Sequence, residues 1–319
     1  MLEHGHFYPY KTMSAEERLW WYSRFFDVVE VNSTFYAVPS ADTAALWVAR
    51  TPPGFLFNVK AYGLLTGHHL DAARLPDALK KRLPGSVRSK NHGRVPNSAF
   101  GDEARAWAFA ELRKALDTLR EAGKLGYVLF QLAPWMKRSD EVQAQLARLP
   151  RELSDDVVAV EFRHRSWFRE HTEETLRFLA DHRLAYVSID APRSRATMPS
   201  LPALTSPTAV FRLHGRNFEG HLKQVQGKNP SVAEKYDYLY SEKELEEVAR
   251  AAGAMNGKAE RVHVAMNNNN RDYPVTNGLE LKEMLLEDWH LPDRAALIEE
   301  LDERRARAKP GPRRRRRAA

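Results

Sequence analysis

Strand-like and helix-like segments alternate along the chain, and most of the strands end in a polar pair. Together these features predict an α/β fold of the (β/α)8 TIM-barrel class, with seven strands legible in this chain. Alternation of this kind gives right-handed βαβ crossovers and a parallel sheet. Seven short β-branched runs read as strands: 27–32 (DVVEVN), 55–60 (FLFNVK), 125–132 (LGYVLFQL), 157–163 (VVAVEFR), 184–190 (LAYVSID), 209–214 (AVFRLH) and 261–267 (RVHVAMN). Amphipathic helix patterns separate them near 14–25, 41–50, 102–122, 139–148, 172–182, 241–256 and 277–287. Ser14 with Glu17 signals a capped helix start, as does Asn277 with Glu280; Ser139 and Thr172 give weaker signals.

A closed barrel needs eight strands, whereas a doubly wound open sheet manages with seven. The strand ends separate the two. Glu30 and Asn32 lie two residues apart, as do Asn58 and Lys60, Glu161 and Arg163, Ser188 and Asp190, and Arg212 and His214. Side chains at i and i+2 point to one face of a strand. Under the helices of an open sheet each unpaired polar group would cost about a few kcal/mol. In a barrel the same pairs converge on one wet mouth, at the carboxyl ends of the strands where such barrels place their active sites.

The charge is unevenly spread. The chain carries +7, but residues 304–319 hold nine Lys and Arg and no acid, so removing those nine leaves −2 for residues 1–303. The body, about 1–300, reads as one domain, and 304–319 as a disordered Arg-rich tail able to bind polyanions with strong salt dependence, or to be no more than a solvated terminus. There are no cysteines, which excludes disulfides, thiolate metal sites and a Cys nucleophile. No secretion signal opens the chain and no apolar run reaches the length of a membrane span, so the expected location is cytoplasmic with no membrane partner. No dinucleotide fingerprint, Walker loop or Gly-x-Ser-x-Gly elbow is present.

The segments VEVNSTFY, FNVKAYGLLTGHH, LFQLAPW, VEFRHRSWF, FRLHGRN, YDYLYSEKEL and NNNNRDYPVTNGLELKEML appear in an order that resembles the YecE-like family, domain of unknown function 72, over about residues 7–287. The resemblance implies a TIM barrel and leaves the activity open. It also implies a strand with a Gly-Thr-Ser-Gly-Trp-like motif before Phe7, Tyr8 and Pro9, and that strand is absent here, consistent with a misplaced start codon or a truncated chain. A barrel lacking one strand has two open edges and should fold poorly. Gly67 separates Thr66 from His68 where the family has Thr-His, so either His68 or His69 takes that position. A basic insert follows at about 69–101, with Lys80, Lys81, Arg82, Arg88, Lys90 and Arg94, and reads as a partly mobile lid over the active face.

Glu30 and Glu161 are the acid/base candidates, because two carboxylates facing one cavity push each other's pKa apart. Lys60 and Arg163 would balance and orient them; Arg212 and His214 would hold an anion. A ring of structural ion pairs locking the mouth is the competing reading. Arg212, His214, Gly215, the Asn267 to Asn270 run and a helix starting at Asn277 suggest a phosphate seat, with turn-capping as the alternative role for the Asn run. Asn32, Tyr36, His68, His69, Trp167, Asp190, Tyr238, Asn267 and Asn268 complete the substrate-binding set, the aromatic members as stacking surfaces and Trp135 as an ambiguous one. Glu30, Glu161, Asp190, His214 and one of His68 or His69 contain metal-ligand chemistry, but no compact ligand motif is present and no metal is assigned. The cofactor is unknown. His263, low in its strand, reads as a core histidine, and Trp20, Trp21, Phe25 and Phe26 as core. The expected function is acid/base or hydrolytic chemistry on a small polar substrate, phosphorylated or sugar-containing. The alternatives are a nucleic-acid-binding or endonuclease IV-like protein, using the insert and the tail, and a non-catalytic binding barrel.

Overall fold

A computed structural model describes residues 7–85, 93–154, 156–192, 198–225, 231, 234 and 236–308. All seven expected strands are present, each within one or two residues: β1 (Val28–Val31), β2 (Leu56–Lys60), β5 (Leu125–Gln131), β6 (Val158–Glu161), β7 (Ala185–Asp190), β8 (Thr208–Leu213) and β9 (Arg261–Met266). They pair in parallel in the order β1-β2-β5-β6-β7-β8-β9, giving a nearly closed TIM-barrel-like sheet. The helices are α1 (Ala15–Tyr22), α2 (Ala41–Ala49), α4 (Asp102–Glu121), α5 (Asp140–Glu152), α6 (Thr172–Asp181), α7 (Phe218–Val225), α8 (Glu242–Gly253), α9 (Tyr273–Leu285) and α10 (Arg294–Ala308). Period-2 alternation sorts each strand. Phe57, Val59, Val128, Phe130, Val158 and Val160 pack outward against helices with Leu112, Leu116 and Leu146. Tyr127, Leu129, Ala159, Ala185, Val187, Ile189 and Val210 fill the barrel interior.

Among the described residues β1 and β9 are not hydrogen-bonded to each other, so each keeps one open edge. A cavity of about 360 Å³ lies between them, with Val28 and Val29 on one side and Val262 and Val264 on the other. The eighth strand of a closed barrel would stand there. Helix α9 closes the gap from outside. The Lys282 ammonium pairs with Asp27 at 2.8 Å and donates to the Phe25 carbonyl at 3.1 Å. Gly278 lies against Phe26, where even a Cβ would be tight.

The helix ends follow sequence chemistry with two exceptions. The Ser14–Glu17 capping box forms on α1, with the Ser14 amide donating to Glu17 at 2.6 Å. Asn277 does not start a helix. Helix α9 begins a turn earlier, with Pro274 in its first turn, and Asn277 is fully buried inside it. Its amide donates to the Tyr240 carbonyl at 3.1 Å and accepts from the Tyr240 amide at 2.9 Å. The second exception is by one position: Thr172 is the first residue of α6, but the cap residue is His171.

The insert has its own small core. Strands β3 (Leu70–Asp71) and β4 (Arg94–Val95) pair antiparallel and α3 (Asp77–Lys81) follows β3. Leu70, Leu75, Leu79, Leu83 and Val95 pack on Tyr62 and Leu64 after β2 and on Ala104 and Ala108 of α4. Arg88 and Lys90 lie outside the described residues. Residues 304–308, expected in the tail, belong to α10, where Arg305 pairs with Glu17 at 2.6 Å and Arg304 lies 4.9 Å from the Trp20 ring. Leu301 of α10 is buried against α1 beside Trp20, Trp21 and Phe25, while Phe26 is only partly buried. Residues 309–319 of the expected tail lie outside the described residues.

One interior contact gives a stability prediction. Gly126 lies so close to Asn58 that an added Cβ would overlap its Oδ1 and come within 3.3 Å of the His263 ring. That oxygen accepts from the Tyr127 amide at 3.2 Å, and the Asn58 amide nitrogen lies 3.3 Å from His263 Nδ1. Gly126→Ala is expected to cost about 1–3 kcal/mol through this overpacking. An unchanged urea midpoint would show that the interior can yield.

Candidate functional site

Members of four of the five polar pairs, Glu30, Lys60, Glu161 with Arg163, and Arg212 with His214, converge inside the barrel. Arg212 is their hub. Its side chain is 1% exposed and lies between two carboxylates. Its Nε donates to Glu30 Oε2 at 3.0 Å and its Nη2 to Glu30 Oε1 at 2.6 Å, a bidentate pair. Its Nη1 pairs closely with Glu161 Oε2. Glu161 is fully buried and also pairs closely with Arg163, while His214 Nε2 lies 3.3 Å from its Oε1. Burial alone would raise the Glu161 pKa, but the charges of Arg163 and Arg212, helped by His214, outweigh it and hold the carboxyl well below the usual range. The Tyr127 hydroxyl donates to Glu30 Oε2 at 3.0 Å.

Arg212 engages both glutamates in a ring of ion pairs, the geometry of the competing reading; Glu161 is fully enclosed, whereas Glu30 also lines the cavity between β1 and β9.

Above it lies a second layer. Gln131, at the end of β5, offers its Oε1 to Lys60 Nζ at 3.2 Å, Arg163 Nη2 at 3.3 Å and Arg212 Nη1 at 3.4 Å. Lys60 Nζ also sits 4.6 Å from the Phe35 ring centre. Lys60, Arg163 and Gln131 are all partly exposed. Burial, followed by the Arg212 charge, lowers the Lys60 pKa to about 8. His214 is buried, and its pKa falls to about 4, first by burial and then by the Arg163 charge. Asn267 Nδ2 lies 2.8 Å from His214 Nδ1, and Arg163 Nη2 lies 3.2 Å from His214 Nε2. With that ring neutral, three cations face two carboxylates and the mouth carries surplus positive charge.

An aromatic wall adjoins this layer. Tyr36 is 56% and Trp135 48% exposed, and with His68, His69, Arg74 and Arg94 they line a cavity of about 510 Å³. His69 stacks on Trp135 at 4.6 Å. His68 meets the Phe35 ring edge-on at 4.9 Å and its Nδ1 lies 2.8 Å from the Thr66 hydroxyl. Burial, with the Lys60 charge second, lowers its pKa to about 4. Both histidines after Gly67 thus reach the wall, and His68 is the one beside Phe35 and Lys60.

Other expected site residues lie elsewhere. Trp167 is fully buried; its ring packs on Phe162 at 4.4 Å and its N–H donates to the Met136 carbonyl. The Ser188 and Asp190 pair faces outward, because i, i+2 spacing fixes a shared face but not which face. Asp190 accepts from Arg216 Nη2 at 2.8 Å and from the Tyr240 hydroxyl at 2.9 Å. Tyr238 donates to Glu244 at 2.6 Å. Asn268 is fully buried and donates to the Tyr238 carbonyl at 2.9 Å. The Gly215 amide donates to the Tyr240 hydroxyl at 2.9 Å, so the expected phosphate seat beside β8 and β9 has its donors engaged. Asn32 is half-buried beside Glu30, and Asn267 stays at the mouth through its bond to His214. His263 is a core residue, with its Nδ1 on Asn58.

Two residues of the candidate site escaped sequence reading. Tyr127 and Gln131 share the inward parity of β5, and Gln131 stands at its carboxyl end; that parity was the available signal. Among the described residues no group of three or more His, Asp or Glu side chains is arranged to hold a metal ion. None of the described helices is long and apolar enough to cross a membrane.

Fold and site together define a TIM-barrel-like protein with a cationic mouth over a buried Glu–Arg–Glu lock. The chain belongs to the family described as protein of unknown function DUF72, which it matches over residues 2–299. It is 30% identical over 286 residues to the UPF0759 protein YunF of Bacillus subtilis strain 168, covering 89% of this chain and 91% of that one. Among solved structures it is similar to a DUF72 family protein from Thermotoga maritima MSB8, with a TM-score of 0.66 and 28% identity over 86% of this chain and 92% of that one. It shares the fold of a DUF72 family protein from Enterococcus faecalis V583, with a TM-score of 0.69 and 21% identity over 92% of this chain and 96% of that one.

Proposed function

We propose that the barrel mouth is an enzyme site for acid/base chemistry on a small anionic substrate that carries a sugar or another ring. The carrying observation is the convergence of Lys60 and Arg163 on the single Gln131 oxygen at the open end, while beneath it Arg212 engages both glutamates and Glu161 also pairs with Arg163. In this reading Arg163 holds the anion, because its guanidinium is partly exposed and offers paired donors. Lys60 moves the proton, because an amine with a pKa of about 8 is present in both forms near neutrality. Trp135 and Tyr36 flank the ring. Glu30 and Glu161 act through Arg212 as positioning residues.

The test is calorimetric binding of glucose 6-phosphate and of inorganic phosphate. Arg163→Gln is expected to weaken both at least about tenfold, the scale of one lost charged hydrogen bond, and Trp135→Ala to weaken the sugar phosphate alone. Removing residues 309–319 should change neither. Binding of single-stranded oligonucleotide that persists without those residues and is displaced by phosphate would favour the nucleic-acid reading instead. Loss of neither ligand in Arg163→Gln would overturn the anion seat.

A further inference from the structure

The outstanding group at the mouth is the Lys60 amine. Among the described residues no carboxylate lies within 4.0 Å of it, in contrast to Arg163 and Arg212. Its polar partner is the neutral Gln131 oxygen at 3.2 Å, and its other neighbour is the Phe35 ring face. An ammonium group fixed for purely structural reasons is normally paired with an acid. Here the acids are already engaged by Arg212, and two guanidiniums crowd the same oxygen that Lys60 uses. Burial beside other cations is the arrangement that turns a lysine into a nucleophile toward carbonyl compounds.

We propose that Lys60 Nζ forms an imine with an aldehyde or ketone that carries a carboxylate or phosphate, the anionic group resting on Arg163. This rests on the anion seat proposed above and adds covalent chemistry to it. The step balances as follows. The unprotonated amine gives its lone pair to the carbonyl carbon, and the carbonyl π pair moves to oxygen, which takes the proton Nζ releases. The carbinolamine then takes a second proton from solvent and expels water as the C=N bond forms. One water is lost, and the cationic iminium replaces the cationic ammonium, so the charge of the mouth is conserved. The surrounding arginines disfavour that cation, and the iminium consequently draws electrons from the adjacent carbon, which activates a C–H or C–C bond there. The amide oxygen of Gln131 is placed to accept the iminium N–H in place of the amine's. Phe35 shields one side of the new bond from water.

The probe is glyoxylate with borohydride, which reduces an imine to a stable amine, read by peptide mass spectrometry at neutral pH. The expected result is a single adduct on Lys60 in preference to the other lysines, suppressed by excess inorganic phosphate. Lys60→Arg keeps the charge and should lose that adduct while still binding phosphate; Arg163→Gln should lower its yield at least several-fold at limiting glyoxylate. Adducts spread over other lysines with Lys60 unmodified would overturn the imine. If Lys60 stays unmodified while phosphate binds as proposed, the imine falls and the anion seat stands. If phosphate does not bind and glyoxylate still modifies Lys60 alone, the imine stands without the seat. Failure of both measurements removes both.

Discussion

Replacing Arg212 with methionine is expected to cost about 3–5 kcal/mol, the range for removing one partner of a buried ion pair. The reason is specific to this barrel. Arg212 is 1% exposed and is the group that faces both Glu30 and Glu161. Without it, Glu161 keeps Arg163, whereas Glu30 keeps the Tyr127 hydroxyl among the described residues. Adding Glu30→Gln to Arg212→Met should recover part of the loss, because the abandoned charge is then gone and an amide can still accept from Tyr127. Urea unfolding at pH 7 provides the measurement. A wild-type midpoint in Arg212→Met would show that the Glu–Arg–Glu lock does not hold the barrel together.

The second large effect is acid sensitivity between pH 6.5 and about 4. Burial lowers the pKa values of His214, His263 and His68 to about 4 each, while an unfolded histidine titrates near 6.5. Above pH 6.5 both states are neutral and contribute no slope. Below it the unfolded chain takes up protons that the folded chain refuses, so stability falls with pH and levels off once the folded rings titrate near pH 4. Near pH 5 each fully buried ring contributes about 1.4 kcal/mol per pH unit. His68, partly exposed, contributes less. Glu161 acts in a lower window: its depressed folded pKa gives stability that is present above the usual carboxylate range and is lost only as pH falls below it. His263→Gln should therefore flatten the pH 5 slope by about one proton's worth relative to wild type, whatever it does to stability at pH 7. Equal slopes in urea titrations at pH 4.5 to 7 would mean that His263 protonates freely in the folded state.

The seven barrel strands were legible because each carries its own period-2 signal, and parallel strands buried on both faces need β-branched runs. The helix starts were legible where a cap is local, as at Ser14 and Glu17. Asn277 misled because a capping residue and a buried amide look alike in sequence; only the Tyr240 backbone beside it distinguishes them. The helix over residues 304–308 was hidden for a similar reason: an Arg-rich segment reads as solvated until Glu17 and Trp20 are found beside Arg305 and Arg304.

By itself the sequence determined the alternation, the seven strands, the parity of every strand side chain and the residue types collected at the strand ends. Those properties are local, set by backbone geometry within a few residues. Only the tertiary structure decided which face of β7 turns inward, that Trp167 is core while Trp135 is exposed, and that Arg212 rather than solvent meets the two glutamates. Such outcomes depend on contacts between segments up to 182 residues apart. Charge balance there depends on distance and burial, and neither is written in the order of the residues.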